Sequence, residues 1–409
     1  MREMKDSGVE WIGEIPSTWD VFRNKNAFEC SKELVGEKSS EIQLLSLTTK
    51  GIKLKDINNA EGKLPESFDT YQYVKENELV MCLFDLDCSA VFSGISPYAG
   101  MISPAYRVLT CTDRMFPKYA DYWFQYISHG RKFNHYAKNI RYTLSYEEFS
   151  ALPMLFPNIE EQKRVADYLD SKCSQIDAII EKQQTIIEKL KEYKLSLINE
   201  VTNVNEGISC HLGFISQMKN GLNFTDTLEG IRVKFLGVGD FKQYLFLDNE
   251  EQFSTVITES EISEDYYLKD GDIVFVRSNG SKELVGRAVM VNNITFPLTY
   301  SGFCIRFRNI RPDIIDSRFL LYYFRSPDFR KQLEKYSQGS NISNMNQDLL
   351  SRMSFTIPSM EYQIDALEQL EIKCKKINEK VDNTELFINK LMEYKKSLIY
   401  EVVTGKKEV

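Results

Sequence analysis

The sequence predicts an α+β protein built twice over. Two globular domains with twisted, mostly antiparallel sheets are separated by two long helices, which pack as an antiparallel coiled coil and share an internal pseudo-two-fold duplication. Three observations carry this. First, Phe156-Pro-Asn-Ile-Glu-Glu-Gln162, continuing to Glu192-Tyr-Lys-Leu-Ser-Leu-Ile-Asn-Glu-Val201, is nearly copied by Ile357-Pro-Ser-Met-Glu-Tyr-Gln363, continuing to Glu393-Tyr-Lys-Lys-Ser-Leu-Ile-Tyr-Glu-Val402. The copies keep one offset without a gap, so that Pro157 matches Pro358, Cys173 matches Cys374 and Tyr193 matches Tyr394. Second, apolar residues in both copies recur at alternating spacings of four and three, the rhythm of a coiled-coil seam. Third, the sequence ahead of each copy shows short β-rich runs broken by turn signals, such as Ile42-Gln-Leu-Leu-Ser-Leu-Thr-Thr and Gly271-Asp-Ile-Val-Phe-Val-Arg.

Taken in order, residues 1–155 form a first domain, 156–204 the first helix, 205–355 a second domain, 356–404 the second helix and 405–409 a tail. A helix closes each domain, Tyr119 to Lys132 and Arg318 to Lys335. Tyr122, Phe124 and Tyr136 match Tyr322, Phe324 and Tyr336 at an offset one residue shorter than that of the long helices. The second copy therefore holds an extra residue between Tyr336 and its long helix, in Ser337-Gln-Gly-Ser-Asn-Ile-Ser-Asn344, where the first reads Ala137-Lys-Asn-Ile-Arg-Tyr-Thr143. Length and composition vary there as they do in surface loops.

The first helical stripe runs Leu169, Cys173, Ile176, Ile180, Gln183, Ile187, Leu190, Lys194, Leu197, Val201. The second runs Leu370, Cys374, Ile377, Val381, Thr384, Ile388, Leu391, Lys395, Leu398, Val402. Neither contains Pro or Gly, a Pro stands just ahead of each, and each is about 50 Å long as a helix. The natural partner of one stripe is the other. Duplication favours a pseudo-two-fold, hence antiparallel, contact. Gln183 and Thr384 interrupt the stripes: they form either a polar layer that fixes register or tolerated polar positions on a half-exposed edge. Lys194 and Lys395 can lay their stems along the seam and keep their charges in water.

The chain has 409 residues, with 43% hydrophobic and 12% aromatic residues, ample for two sizeable cores. No apolar run reaches membrane-spanning length, and the first residues lack the apolar centre of a signal peptide. Eight cysteines are scattered without zinc spacing, which reads as reduced thiols in a cytoplasmic protein. The net charge of −8 argues against nucleic acid at first sight, but a local basic face decides whether phosphate is welcome. Tyr244 to Asp272 holds nine acids and only Lys269 as a base, whereas Ile127 to Ser145 holds Arg131, Lys132, Lys138 and Arg141 and no acid. From Ile273 to Arg352 bases outnumber acids twelve to six.

Catalytic patterns are missing from the sequence. The three histidines, His129, His135 and His211, have no ligand or nucleophile spacing around them, and there is no phosphate loop or dinucleotide fingerprint. Ser96-Pro-Tyr98 only superficially matches an amino-methyltransferase loop, and Pro327-Asp328 with Glu334-Lys335 only superficially matches a nuclease core. What remains is loop chemistry. Arg131, Lys132, Lys138, Asn139, Arg141 and Tyr142 cluster in the first domain. In the second, Arg277, Ser278, Asn279 and Lys282 directly follow a strand, Arg287 comes soon after, and Ser340, Asn341, Ser343 and Asn344 lie further on. Arg and Lys suit phosphates and guanine edges, and Asn can pair bidentately with adenine. Each residue alone reads better as a solvated side chain; each cluster reads better as a DNA-binding loop.

These parts resemble the specificity subunits of Type I restriction–modification systems. Ser7-Gly-Val-Glu-Trp-Ile-Gly-Glu-Ile-Pro-Ser-Thr-Trp19 looks like the start of a first target-recognition domain. Ile159-Glu-Glu-Gln162 and Glu361-Tyr-Gln363 resemble the signature heading the family's helices, and Leu212-Gly-Phe-Ile with Lys219-Asn-Gly-Leu-Asn-Phe224 is similar to the opening of a second domain. The second domain lacks counterparts of Trp11 and Trp19, and the recognition loops do not transfer between members. The resemblance implies a non-catalytic subunit whose two domains each read one half of a split, asymmetric site in double-stranded DNA. The coiled coil would set the spacing and dock two modification subunits, which use S-adenosylmethionine to methylate adenine. Restriction subunits would hydrolyse ATP, with Mg, to translocate and cut. The subunit itself would carry no cofactor or metal and meet no membrane. The repeated edges Glu192-Tyr193-Lys194 and Glu393-Tyr394-Lys395 are expected docking points. The competing reading is a coiled-coil scaffold that never touches DNA.

Overall fold

The heptad stripes form helices over Ile159–Thr202 and Met360–Val403 in a computed structural model that describes residues 2–31, 33–49, 51–56, 65–86, 93–137, 142–224, 229–241, 244–336 and 344–409. The chain divides into two compact units, one of residues 1–183 with 386–409 and one of residues 184–385.

In the first unit, Phe28–Cys30, Arg107–Cys111, Leu79–Met81 and Ser93–Ile95 form an antiparallel sheet in that order. Helix Pro117–His129 buries Tyr119, Trp123 and Phe124 in the same core as Leu79, Met81 and Leu109. Its first turn tolerates Pro117, whose missing N–H would have had no helical partner. Leu169, Cys173, Ile176 and Ile180, near the start of the first long helix, share this core with Leu391, Leu398, Ile399 and Val402, near the end of the second. Start meets end, so the pairing in this unit is antiparallel.

In the second unit, the main sheet has the order Ser216–Asn220, Cys304–Asn309, Ile273–Val276, Ala288–Val291, Phe246–Leu247, antiparallel except at the last pair. Ser254–Thr258, Ile231–Leu236 and Leu298–Tyr300 make a smaller mixed sheet. Leu190, Leu197 and Val201 pack with Leu370, Cys374, Ile377 and Val381, again start against end. The single closing helix expected from Arg318 to Lys335 is two helices, Ser317–Phe324 and Pro327–Tyr336. Pro327 cannot donate to the preceding turn and restricts the residue before it, so the first helix stops and a second begins. In the first unit the expected reach to Lys132 likewise ends at His129, and a 3-10 turn over Lys132–His135 follows.

The duplication extends to single hydrogen bonds. Strand Asp20–Arg23 pairs antiparallel with Pro153–Phe156, as Ile208–His211 pairs with Ser354–Ile357, so each domain closes on its own ends. Gln162 is fully buried; its Oε1 accepts from Phe116 N at 2.8 Å, and its Nε2 donates to the carbonyls of Arg114 and Pro157, each at 2.9 Å. Gln363 repeats this with Asp316 N at 2.8 Å and the carbonyls of Ile314 and Pro358 at 2.9 Å. The signature glutamine thus clamps the approach to the closing helix onto the first turn of the long one. Lys118 then pairs with Asp170, and Arg318 with Glu371.

Candidate nucleic-acid interface

In both domains the strand at the heart of the sheet ends in a loop that is stitched to the segment ahead of the last short helix. Leu144 N donates to Leu83 O and Met345 N to Arg277 O, both at 2.8 Å. The short helices that follow start alike, with Ser145 capping Glu148 N and Asn346 capping Leu349 N. One frame therefore presents two different loop sets.

In the first domain, Arg131 and Lys132 follow the closing helix, Arg131 exposed and left-handed at φ 47°, Lys132 half-buried. Tyr142 is 37% exposed, also left-handed at φ 45°, and its carbonyl accepts from Leu86 N at 3.3 Å. Two left-handed non-glycine residues thus bracket the basic segment, a conformation that surrounding structure must hold. Phe133 is buried, and Trp11 Nε1 donates to Tyr136 Oη at 2.9 Å, tying Tyr136 to the N-terminal residues. Lys138, Asn139 and Arg141 lie outside the described residues.

In the second domain, two stretches far apart in sequence meet. Ser278 and Asn344 form an isolated antiparallel bridge. Asn344 is exposed and Ser278 half-buried. Asn279 Oδ1 accepts from Ser281 N at 2.8 Å, which folds the Arg277-to-Lys282 loop onto itself. Lys282 is exposed and Arg287 half-buried; the Lys282 carbonyl accepts from Arg330 Nη2 at 3.1 Å. Arg277 plays a bracing part, with Nη1 donating to Gly302 O at 3.3 Å. Ser340, Asn341 and Ser343 lie outside the described residues.

The sequence tally overstated the basic field. Arg308 chelates the buried Asp272 at 2.6 and 2.7 Å, and Arg306 is 2% exposed and donates to Asp265 O at 2.8 Å. Arg330 pairs with Glu334, and burial pushes the Arg325 guanidinium down to about 10. These bases hold the fold.

Sequence reasoning missed the turn Ser301-Gly302-Phe303 beside this cluster. Arg277 N donates to Phe303 O at 2.7 Å, and Gly302 N to Leu222 O at 2.7 Å. The only available signal was Gly221-Leu-Asn223 in the domain-opening motif. A Cβ on Gly221 would lie 2.3 Å from the carbonyls of Tyr300 and Ser301, so the motif must pass the turn with bare backbone.

The helix stripes are buried or half-buried at every expected position. Leu169, Ile176, Ile180, Ile187, Leu190 and Leu197 alternate with exposed charges, as do Leu370, Ile377, Val381, Ile388, Leu391 and Leu398. Gln183 and Thr384 are half-buried, and Thr384 Oγ1 donates to Lys380 O of its own helix at 2.7 Å. Tyr193 and Tyr394 are each 54% exposed. Among the described residues, no group of three or more His, Cys, Asp or Glu could hold a metal ion, and no helix is long and apolar enough to cross a membrane.

Residues 214–384 match the family described as Type I restriction modification DNA specificity domain. The chain is 27% identical over 263 residues to the Type I restriction enzyme StySPI specificity subunit of Salmonella potsdam. It is 24% identical over 264 residues to the EcoKI specificity subunit of Escherichia coli (strain K12). Each alignment spans 59% of this chain and 56% of the relative. A chain from a solved structure on complex assembly and conformational transition of the type I R-M system superposes with a TM-score of 0.72 at 12% identity, covering 96% of this chain and 99% of that one. The HsdS subunit from Thermoanaerobacter tengcongensis gives 0.51 at 12% identity, covering 96% and 98%. At such identity these two likenesses speak to the fold.

Proposed function

We infer that the chain is the DNA-reading subunit of a Type I restriction–modification complex, a reading supported by the match of residues 214–384 to the specificity-domain family and by its similarity to two specificity subunits. Each globular domain reads one half of a bipartite, asymmetric site, and the paired helices set the spacing and dock two modification subunits. The observation that carries this is the pair of equivalent frames, stitched at Leu83–Leu144 and Arg277–Met345, that hold unlike loops. Equivalent frames with unlike loops suit two different half-sites, and base-reading modules at a fixed spacing read separated halves.

The chemistry belongs to the partners. Modification subunits would supply S-adenosylmethionine and adenine methylation, and restriction subunits would supply ATP hydrolysis with Mg and cleavage. This chain would contribute recognition without catalysis, in the cytoplasm, where the DNA is. Tyr193 and Tyr394, each beside a seam lysine, offer two like docking edges.

The test is a methylation map of DNA from cells expressing the chain with its modification subunit. One split motif, methylated on both strands in two unlike halves, is the expected result. Co-purification of the subunits without any new methylation would overturn the reading. Changing Lys138 or Arg141 should disturb one half-site only; disturbance of both halves would count against the division of labour.

A further inference from the structure

Phe303 is 58% exposed, yet the turn that carries it is held by several hydrogen bonds. The two strands it joins are buried on either side of the turn, over all of Leu298–Tyr300 and over the first four residues of Cys304–Asn309. Its carbonyl accepts from Arg277 N at 2.7 Å and Ser278 N at 3.4 Å, its own N–H donates to Ser301 Oγ at 3.2 Å, and Arg277 Nη1 grips the Gly302 carbonyl. Phe214 is still more exposed at 72% but has His211 beside it, ring centroids 6.3 Å apart. A rigidly presented aromatic ring loses little conformational entropy on binding.

The same turn in the first domain is built differently. There Ser103-Pro-Ala-Tyr106 links Gly100–Ile102 to Arg107–Cys111 and holds one residue more, and Tyr106 is half-buried and stacked on Phe84 with centroids 5.9 Å apart. The aromatic side chain is folded in on one frame and turned out on the other.

Two exposed amides lie close to this turn: Asn344, across the Ser278 bridge, and Asn223, whose Oδ1 would be 2.2 Å from a Cβ on Gly302. An apolar ring among amide side chains matches the major-groove edge of an A·T pair. There adenine offers a donor–acceptor pair to Asn, and thymine offers a methyl group.

We propose that Phe303 is a specificity-determining residue of the second domain that packs on the C5-methyl of a thymine in its half-site. The proposal rests on the DNA-reading role above and names the chemical group read.

The experiment uses the full chain with its modification subunit and a duplex carrying the mapped site, each thymine in turn replaced by uracil. Wild-type protein should lose about fourfold in affinity at one thymine of one half, the worth of one buried methyl group, and be indifferent elsewhere. Phe303→Ala should bind thymine and uracil alike at that position, with an unchanged circular dichroism spectrum, and Phe303→Leu should restore part of the preference. Tolerance of uracil at every position, a thymine preference that survives in Phe303→Ala, or a half-site without thymine would each overturn the proposal while specific binding remains. Absence of any sequence preference in the wild-type complex would instead overturn the DNA-reading role itself.

Discussion

Lys395 Nζ donates to both carboxylate oxygens of Asp177, at 2.8 and 2.7 Å. The duplication repeats the contact: Lys194 Nζ donates to Asn378 Oδ1 at 2.8 Å. The two pairs occupy equivalent places on the two stripes, but only one is an ion pair. Lys194 is half-buried, and burial lowers its pKa from the ordinary lysine value. A neutral amide does little to offset that burial.

Replacing Asn378 with Asp should therefore stabilise the protein by about 0.5 kcal/mol, and Asp177→Asn should destabilise it by a similar amount, the usual range for exposed pairs. Thermal unfolding at low and high salt checks this, since both effects should shrink with screening. Equal behaviour of wild type and Asn378→Asp at low salt would show that the lysine charge is already fully hydrated.

The buried glutamine clamps should be far more sensitive. Gln162→Leu leaves the Phe116 N–H and two carbonyls without their side-chain partner, and Gln363→Leu does the same to Asp316, Ile314 and Pro358. Each substitution should cost at least about 2 kcal/mol, measured by urea unfolding. Hydrogen exchange should localise each loss to its own unit.

Asp121 gives a pH signature. Burial raises its carboxyl to about 6, although Gln125 Nε2 donates to it at 2.9 Å. With the folded value above the unfolded one, the native state holds the proton more tightly. The stability from this group is complete below about pH 4 and is lost as pH rises through 6. Asp121→Asn should match wild type near pH 4 and be more stable by about 3 kcal/mol near pH 8. Denaturant titrations at the two pH values read this directly, and a gain of the same size at both would refute it.

Gly221→Ala should act on recognition. Its new methyl would meet the Tyr300 and Ser301 carbonyls, which are backbone and cannot swing aside. The turn carrying Phe303 should shift, at about 1–3 kcal/mol of overpacking. Methylation mapping should show loss of fidelity in one half of the split motif, with the other half read as before.

The periodic parts of the molecule were legible in the sequence because a repeated stripe has few structural solutions. The stripes from Leu169 and from Leu370, the duplication and the paired signature glutamines all followed from spacing. Their antiparallel sense in each unit is seen in which residues share a core. The break at Pro327 is written in the sequence as a proline, but the apolar pattern runs on through it and masks the boundary. The loops were legible only as composition. Arg277 looked like a free cation but braces Gly302, and Arg306 and Arg308 counted towards a basic face yet serve buried contacts. Phe303 carried no signal of its own, since an exposed aromatic residue and a core one are the same letter. Local sequence dictated helix register and caps, which depend on neighbours three and four residues away. Only the tertiary structure decided which loops meet, because Ser278 and Asn344 are brought together by sheet closure and not by anything near either of them.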